Sequence, residues 1–193
     1  MHLEDYDKGD YTLGASRWKL LAWWVLGDPV VRSRWLVFSG LKVWMLRRFG
    51  ATIGKGVRIK PGVRVKLPWR LILGDHVWLG EEVWLDNLAP ITVESNVCIS
   101  QAAYLCTGNH DWSDPRFGLR CAPIVVHQGS WIGARATVGP GVDVGRGAVL
   151  TLGSVAVRSL KPMMIHSGNP AQACRKRIHS TTGDSHAAAN RLT

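Results

Sequence analysis

From Ile53 onward an aliphatic residue returns at every sixth position. Ile53, Ile59, Val65 and Leu71 keep this interval, as do Leu73, Leu79 and Leu85, then Val93, Ile99 and Leu105. After a gap the count resumes with Val126, Ile132, Val138, Val144 and Leu150. Four residues beyond many of these stands a second apolar or small residue: Val57, Val63, Val77, Val83, Val97, Ala103, Ala136, Val142 and Ala148. A period of six is neither the three-and-four spacing of an amphipathic helix nor the alternation of a strand. It suits a short strand plus a turn, with the aliphatic side chain pointing inward. Glycine often follows directly, as in Ile53-Gly54, Leu79-Gly80 and Ile132-Gly133, where it is expected to take backbone angles that other residues avoid. Three such units close one triangular coil, and stacked coils bury a continuous ladder of aliphatics.

The 193 residues suffice for one domain with a sizeable core. A formal charge of +10 predicts attraction to anionic partners and says nothing about fold. Cys98, Cys106, Cys121 and Cys174 form no CxxC pair and no zinc-spaced cluster, so reduced thiols in a cytoplasmic compartment are expected. The opening MHLEDYDKGDYTLG has acidic residues and no apolar core, and no secretory signal is read in it. The longest uncharged runs of the apolar N-terminal region, 20–27 and 35–41, fall far short of the roughly 20 residues of a membrane span.

Residues 15–50 differ in composition from the repeat, holding seven Lys/Arg against one Asp and five of the ten tryptophans. They read as two helices divided at Gly27-Asp28-Pro29, with Ser16 as one N-cap, Asp28 or Ser33 as the other, and Gly50 as the stop. Two roles are open to them and are compatible: capping the first coil, or anchoring at an anionic membrane interface. No recognised nucleic-acid-binding module surrounds these basic residues, and no nucleic-acid partner is expected. The chain thus divides into a basic, Trp-rich helical segment 1–50, a repeat domain 51–177 and a small polar tail 178–193 expected to be disordered.

The repeat stops across residues 106–123, beginning CTGNHDWSDPRF, so this segment should loop away from the coil. His110 within it is the strongest candidate for chemistry, because an imidazole can take a proton from a hydroxyl and return it to a leaving group.

The hexads resemble those of the hexapeptide-repeat acyltransferases over residues 50–177, which implies a left-handed parallel β-helix. Phase shifts at Leu71/Leu73 and at 90–93 would be corners or small loops. Members of that family are typically trimers with active sites between neighbouring β-helices, so the resemblance implies a homotrimer. TGNHDWSDPRF resembles the catalytic loop of the sugar O-acetyltransferases, most of all those of colanic acid and exopolysaccharide synthesis. The resemblance implies acetyl-CoA as co-substrate, a sugar acceptor, no metal, and His110 as general base with Asp111 or Asp114 orienting its ring. Arg116 would order the loop or meet a phosphate, and Trp112 would stack on a sugar or anchor the loop. Asp86 and Trp131 match acceptor-side positions. Ala134 matches a backbone donor to the thioester carbonyl, and Leu152 and Gly153 lie where pantetheine runs. Arg158, Arg175 and Lys176 are placed to meet CoA phosphates.

Three rival classes share this fold. A zinc-dependent carbonic anhydrase needs three converging histidines, and His76, His110 and His127 lack the paired motif. An acetyltransferase of an antibiotic or free sugar shares the loop histidine, and a non-enzymatic scaffold shares only the coil. The expectation is therefore a cytoplasmic O-acetyltransferase acting on a sugar hydroxyl, with peripheral contact at the inner face of the cytoplasmic membrane as the further role of its N-terminal segment.

Overall fold

The computed structural model describes residues 2–178, so the tail expected to be disordered lies outside the described residues apart from Ile178. The chain winds into a left-handed parallel β-helix of about six turns with three walls. Wall 1 stacks Thr52–Ile53, Leu71–Leu73, Ile91–Val93, Ile124–Val126 and Asp143–Val144. Wall 2 stacks Arg58–Ile59, Trp78–Leu79, Cys98–Ile99, Trp131–Ile132, Val149–Leu150 and Met164–Gly168, and the antiparallel Ala171–Lys176 closes it. Wall 3 stacks Arg64–Val65, Trp84–Asp86, Tyr104–Cys106, Thr137–Val138 and Val155–Ala156.

The aliphatics at six-residue intervals form the core, and Ile59, Leu79, Leu85, Ile99, Leu105, Ile132 and Leu150 are wholly shielded. Each such burial contributes about 1.5–3 kcal/mol. The second position of each unit, from Val57 to Ala148, is buried as well.

Departures from the period all occur at one corner. Val126 pairs with Val144, a step of 18 residues, or three hexads. Ile53 pairs with Leu73 and Leu73 with Val93, steps of 20, while Val93 pairs with Val126, a step of 33. The added residues lie between walls 3 and 1 in every case. Leu73 is thus the ladder residue above Ile53, and Leu71 is the first inward residue of the same strand. Buried Asn87 stitches this corner, accepting from the Leu67 N–H at 2.9 Å and donating to its carbonyl at 2.7 Å. Thr107 does the same one coil on, accepting from Ala89 N–H and donating to the Asp86 carbonyl, both at 2.9 Å.

The glycines after the ladder residues serve close approach rather than unusual backbone angles. A Cβ on Gly80 would lie 2.7 Å from Gln101 N, and one on Gly133 would lie 2.6 Å from Leu152 N. The left-handed backbone sits elsewhere, in the turns: Gly56, His76, Asn96, Gly129 and Gly147 at one corner, Gly62, Glu82, Ala102, Arg135 and Gly153 at another.

The open end of the first coil is covered by helices α1 (Arg17–Ala22), α2 (Asp28–Arg32) and α3 (Ser39–Arg48). Ser16 caps α1 by accepting from Lys19 N–H. The expected division at Gly27-Asp28-Pro29 is absent: a π-turn, Trp23–Gly27, joins α1 to α2. Pro29 falls in the first turn of α2, where its missing N–H costs nothing. The break comes at residues 33–38, and Ser33 accepts from Leu36 N–H within it rather than capping α3. Gly50, with φ +102°, ends α3 as expected.

A first coil has no neighbour above to accept donors from or give them to, and the cap supplies the missing partners. Trp23 Nε1 donates to Val65 O, Lys42 Nζ to Lys60 O, and Arg47 to Ile53 O, while Ser39 Oγ accepts from Ile59 N–H. Burial of Lys42 lowers its pKa.

Candidate active site

The segment 107–123 leaves the prism at the corner already widened in the two coils before it. It forms a β-ribbon, Gly108–His110 paired antiparallel with Leu119–Cys121, in which His110 faces Leu119. The turn at its tip is built by the two aspartates. Asp114 Oδ1 accepts from Arg116 N–H at 2.9 Å, and the Asp114 carbonyl accepts from Phe117 N–H at 2.8 Å. Asp111 Oδ1 accepts from Ser113 N–H at 3.0 Å and from its hydroxyl at 2.5 Å, and Oδ2 pairs with Arg120. The Ser113 hydroxyl is the main cause that lowers the Asp111 pKa, and the Arg116 N–H does the same for Asp114.

Neither aspartate touches the His110 ring as the sequence led us to expect. His110 Nδ1 instead lies 2.9 Å from the Phe117 carbonyl, and the two rings stack at 4.2 Å and 5°. A carbonyl only accepts, so Nδ1 carries a proton, and in the neutral ring Nε2 is the nitrogen with the lone pair. That is the tautomer a general base needs. Phe117 aims its carbonyl from a left-handed backbone, φ +53°, which the Asp114 turn holds in place. The aspartates are thus linked to the histidine ring only through the turn that carries Phe117. Asp114 also engages Arg116 at 3.4 Å, so Arg116 orders the tip.

A cleft of about 220 Å³ opens beside the imidazole, lined by Asn109, Trp112, Arg120, Cys121 and Pro140 among others. Trp112 is 82% exposed. The N-terminal segment reaches the same ribbon: His2 N–H donates to Pro115 O at 2.8 Å, and the Tyr6 ring lies 5.9 Å from that of His110.

Asp86 is buried at the root of the ribbon, on wall 3. Its Oδ2 accepts from Tyr104 Oη at 3.0 Å, and Lys66 Nζ approaches Oδ1 to 2.7 Å. Burial is the largest cause raising the Tyr104 pKa. Trp131 lies on wall 2, half-exposed, donating from Nε1 to Ser100 Oγ at 2.8 Å. Ala134, Leu152 and Gly153 gather on the edge between walls 2 and 3, where Gly153 N–H donates to Ala134 O at 2.9 Å and Leu152 is exposed. Arg158 is exposed beyond wall 3, and Arg175 and Lys176 lie on the strand that closes wall 2. One chain thus brings together His110, Asp111, Trp112, Asp114 and Arg116 on the ribbon, with Asp86 at its root, while Ala134, Leu152 and Gly153 lie at another corner, Trp131, Arg175 and Lys176 on wall 2, and Arg158 between wall 3 and Leu160.

Phe117, Tyr6, Tyr104, Lys66 and Arg120 escaped the sequence reading. Phe117 acts through its backbone, which side-chain identity does not encode. The zinc alternative finds no support in geometry, since His76 is a corner residue with φ +56° and both His127 nitrogens meet carboxylates, Glu94 at 3.0 Å and Asp143 at 2.9 Å.

No protein-family model matches the chain. A protein of Escherichia coli K12, whose name assigns it to colanic acid biosynthesis as the acetyltransferase WcaF, is 38% identical over 173 residues, covering 86% of this chain and 92% of its own. A Vibrio cholerae hexapeptide-repeat acetyltransferase, solved with acetyl coenzyme A, superposes with a TM-score of 0.78 at 22% identity, covering 93% of this chain and 100% of that one. Galactoside acetyltransferase in complex with coenzyme A gives a TM-score of 0.75 at 19% identity over 86% of each chain.

Proposed function

The chain belongs to the hexapeptide-repeat acyltransferases, as a relative of the colanic acid acetyltransferases, and on that premise we propose that it acetylates a sugar hydroxyl during assembly of a bacterial cell-surface polysaccharide. It is an acetyltransferase that uses acetyl-CoA. His110 is the general base, and the observation that carries this role is the Phe117 carbonyl on Nδ1, which leaves Nε2 as the nitrogen free to take a proton on a residue that lines the cleft. Nε2 takes the proton as the sugar oxygen attacks the thioester carbonyl carbon. The tetrahedral oxyanion collapses, the C–S bond breaks, and the proton passes to the departing CoA sulfur. A backbone donor at Ala134 suits the oxyanion.

The acceptor lies against Asp86, Trp112 and Trp131, and pantetheine runs along Leu152 and Gly153 toward Arg158, Arg175 and Lys176. Because His110 and that edge occupy different corners of one prism, the enzyme works as a homotrimer whose sites lie between copies. Acetyl-CoA supply places it on the cytoplasmic side, and among the described residues no helix is long and apolar enough to cross a membrane.

Mass spectrometry of polysaccharide repeat units incubated with enzyme and acetyl-CoA tests the acceptor. The expected product is an acetyl ester, removable by mild base. Transfer only to an amine, or only to a free sugar or antibiotic, would contradict it.

A further inference from the structure

The cap that seals the first coil has a second face. Trp23, Val31 and Leu46 are its wholly buried apolar side chains and join the core. Yet ten large apolar side chains of the same segment, between Trp18 and Trp44, are exposed. Trp35 is 94% exposed, Trp18 80% and Phe38 74%. On α3, Leu41, Trp44 and Arg48 recur at helical spacing on the side opposite Lys42 and Leu46, which are buried. Apolar surface of this extent on one cap of about thirty residues marks a docking surface.

Charge selects the partner. Arg17, Arg32 and Arg48 are exposed on the cap among these aromatics, and residues 15–50 hold a single acidic residue, the half-buried Asp28. Arg34 is paired with Glu82 and is excluded from the count. Tryptophan beside arginine, with no exposed carboxylate, suits the headgroup layer of an acidic bilayer. The placement also fits, because the cap closes one end of the prism and docking there leaves the ribbon and the three walls uncovered.

We propose that this end cap docks on an anionic lipid surface. Trp18, Trp24, Trp35, Phe38 and Trp44 enter the headgroup layer, and Arg17, Arg32 and Arg48 meet the acidic headgroups. The docking is separate from acetyl transfer, so His110→Ala protein docks as well as wild type even if it is inactive.

Flotation of the full chain with vesicles tests it, using phosphatidylcholine alone and phosphatidylcholine mixed with phosphatidylglycerol. Each arginine near an acidic surface strengthens binding about fivefold, so flotation with the mixed vesicles should exceed that with neutral ones by at least about tenfold and fall with added salt. Trp18→Ser/Trp35→Ser/Phe38→Ser protein, changed only at exposed positions, should lose flotation, and Arg17→Gln/Arg32→Gln/Arg48→Gln protein should lose the preference for acidic vesicles. Quenching of wild-type tryptophan fluorescence by brominated lipid reads insertion without any variant. Absence of both flotation and quenching overturns the proposal, as does equal binding to both vesicles. A smaller assembly in solution for the serine variant, with unchanged flotation, would instead make this face a contact between copies.

Discussion

A histidine Nδ1 can donate to a peptide carbonyl, an acceptor that does not itself titrate, or to a carboxylate, which does. His110 is of the first kind, and its aspartates matter through the turn that aims Phe117. Asp114→Ala should therefore lower kcat by up to about a hundredfold, the scale of a base misplaced by an ångström, and leave the KM for acetyl-CoA unchanged. Steady-state kinetics checks this, and an unchanged kcat would remove Asp114 from the positioning chain. The same loosening is expected in the wild type at low pH. Both aspartates have folded-state pKa values below the ordinary 3.8, so their contribution is complete above that value and is lost as pH falls through the depressed range. The identity of the candidate base was legible in the sequence because it interrupts a counted repeat. Its partner was not, since any residue could offer a carbonyl and only the φ of Phe117 directs this one.

At the scale of the coil, the aliphatic interval carried the architecture with little loss. Ile59, Leu79, Ile99, Ile132 and Leu150 stack in the order their spacing implies. The glycine argument was less legible, because close approach of the next coil and left-handed backbone both favour glycine, and a sequence does not distinguish them. Gly133 and Gly153 separate the two causes. Gly133→Ala would drive a Cβ to 2.6 Å from the Leu152 backbone, while Gly153→Ala meets no atom within 4 Å and bears only the strain of φ +67°. Gly153→Ala should cost about 1 kcal/mol, and Gly133→Ala should cost more, since whole coils must part. Thermal melts of the two variants check the order. The helix division misread at Pro29 has a similar origin: proline breaks a helix interior but is tolerated in a first turn, and position within the turn depends on where the preceding π-turn ends.

The described chain is a three-walled prism whose candidate site residues lie at different corners. The ribbon bearing His110 leaves between walls 3 and 1, and Ala134, Leu152 and Gly153 lie between walls 2 and 3. If sites form between copies, coexpressed His110→Ala and Leu152→Glu chains should regain measurable transfer in mixed trimers, although each is inactive alone. No regain would place the whole site in one copy. The longer steps of the coil collect at the corner from which the ribbon departs. The most direct test of the account remains the histidine itself. Acetyl transfer by His110→Ala should fall by about two to four orders of magnitude, as expected for loss of a general base, with CoA affinity by calorimetry nearly unchanged. Turnover equal to wild type would contradict the mechanism.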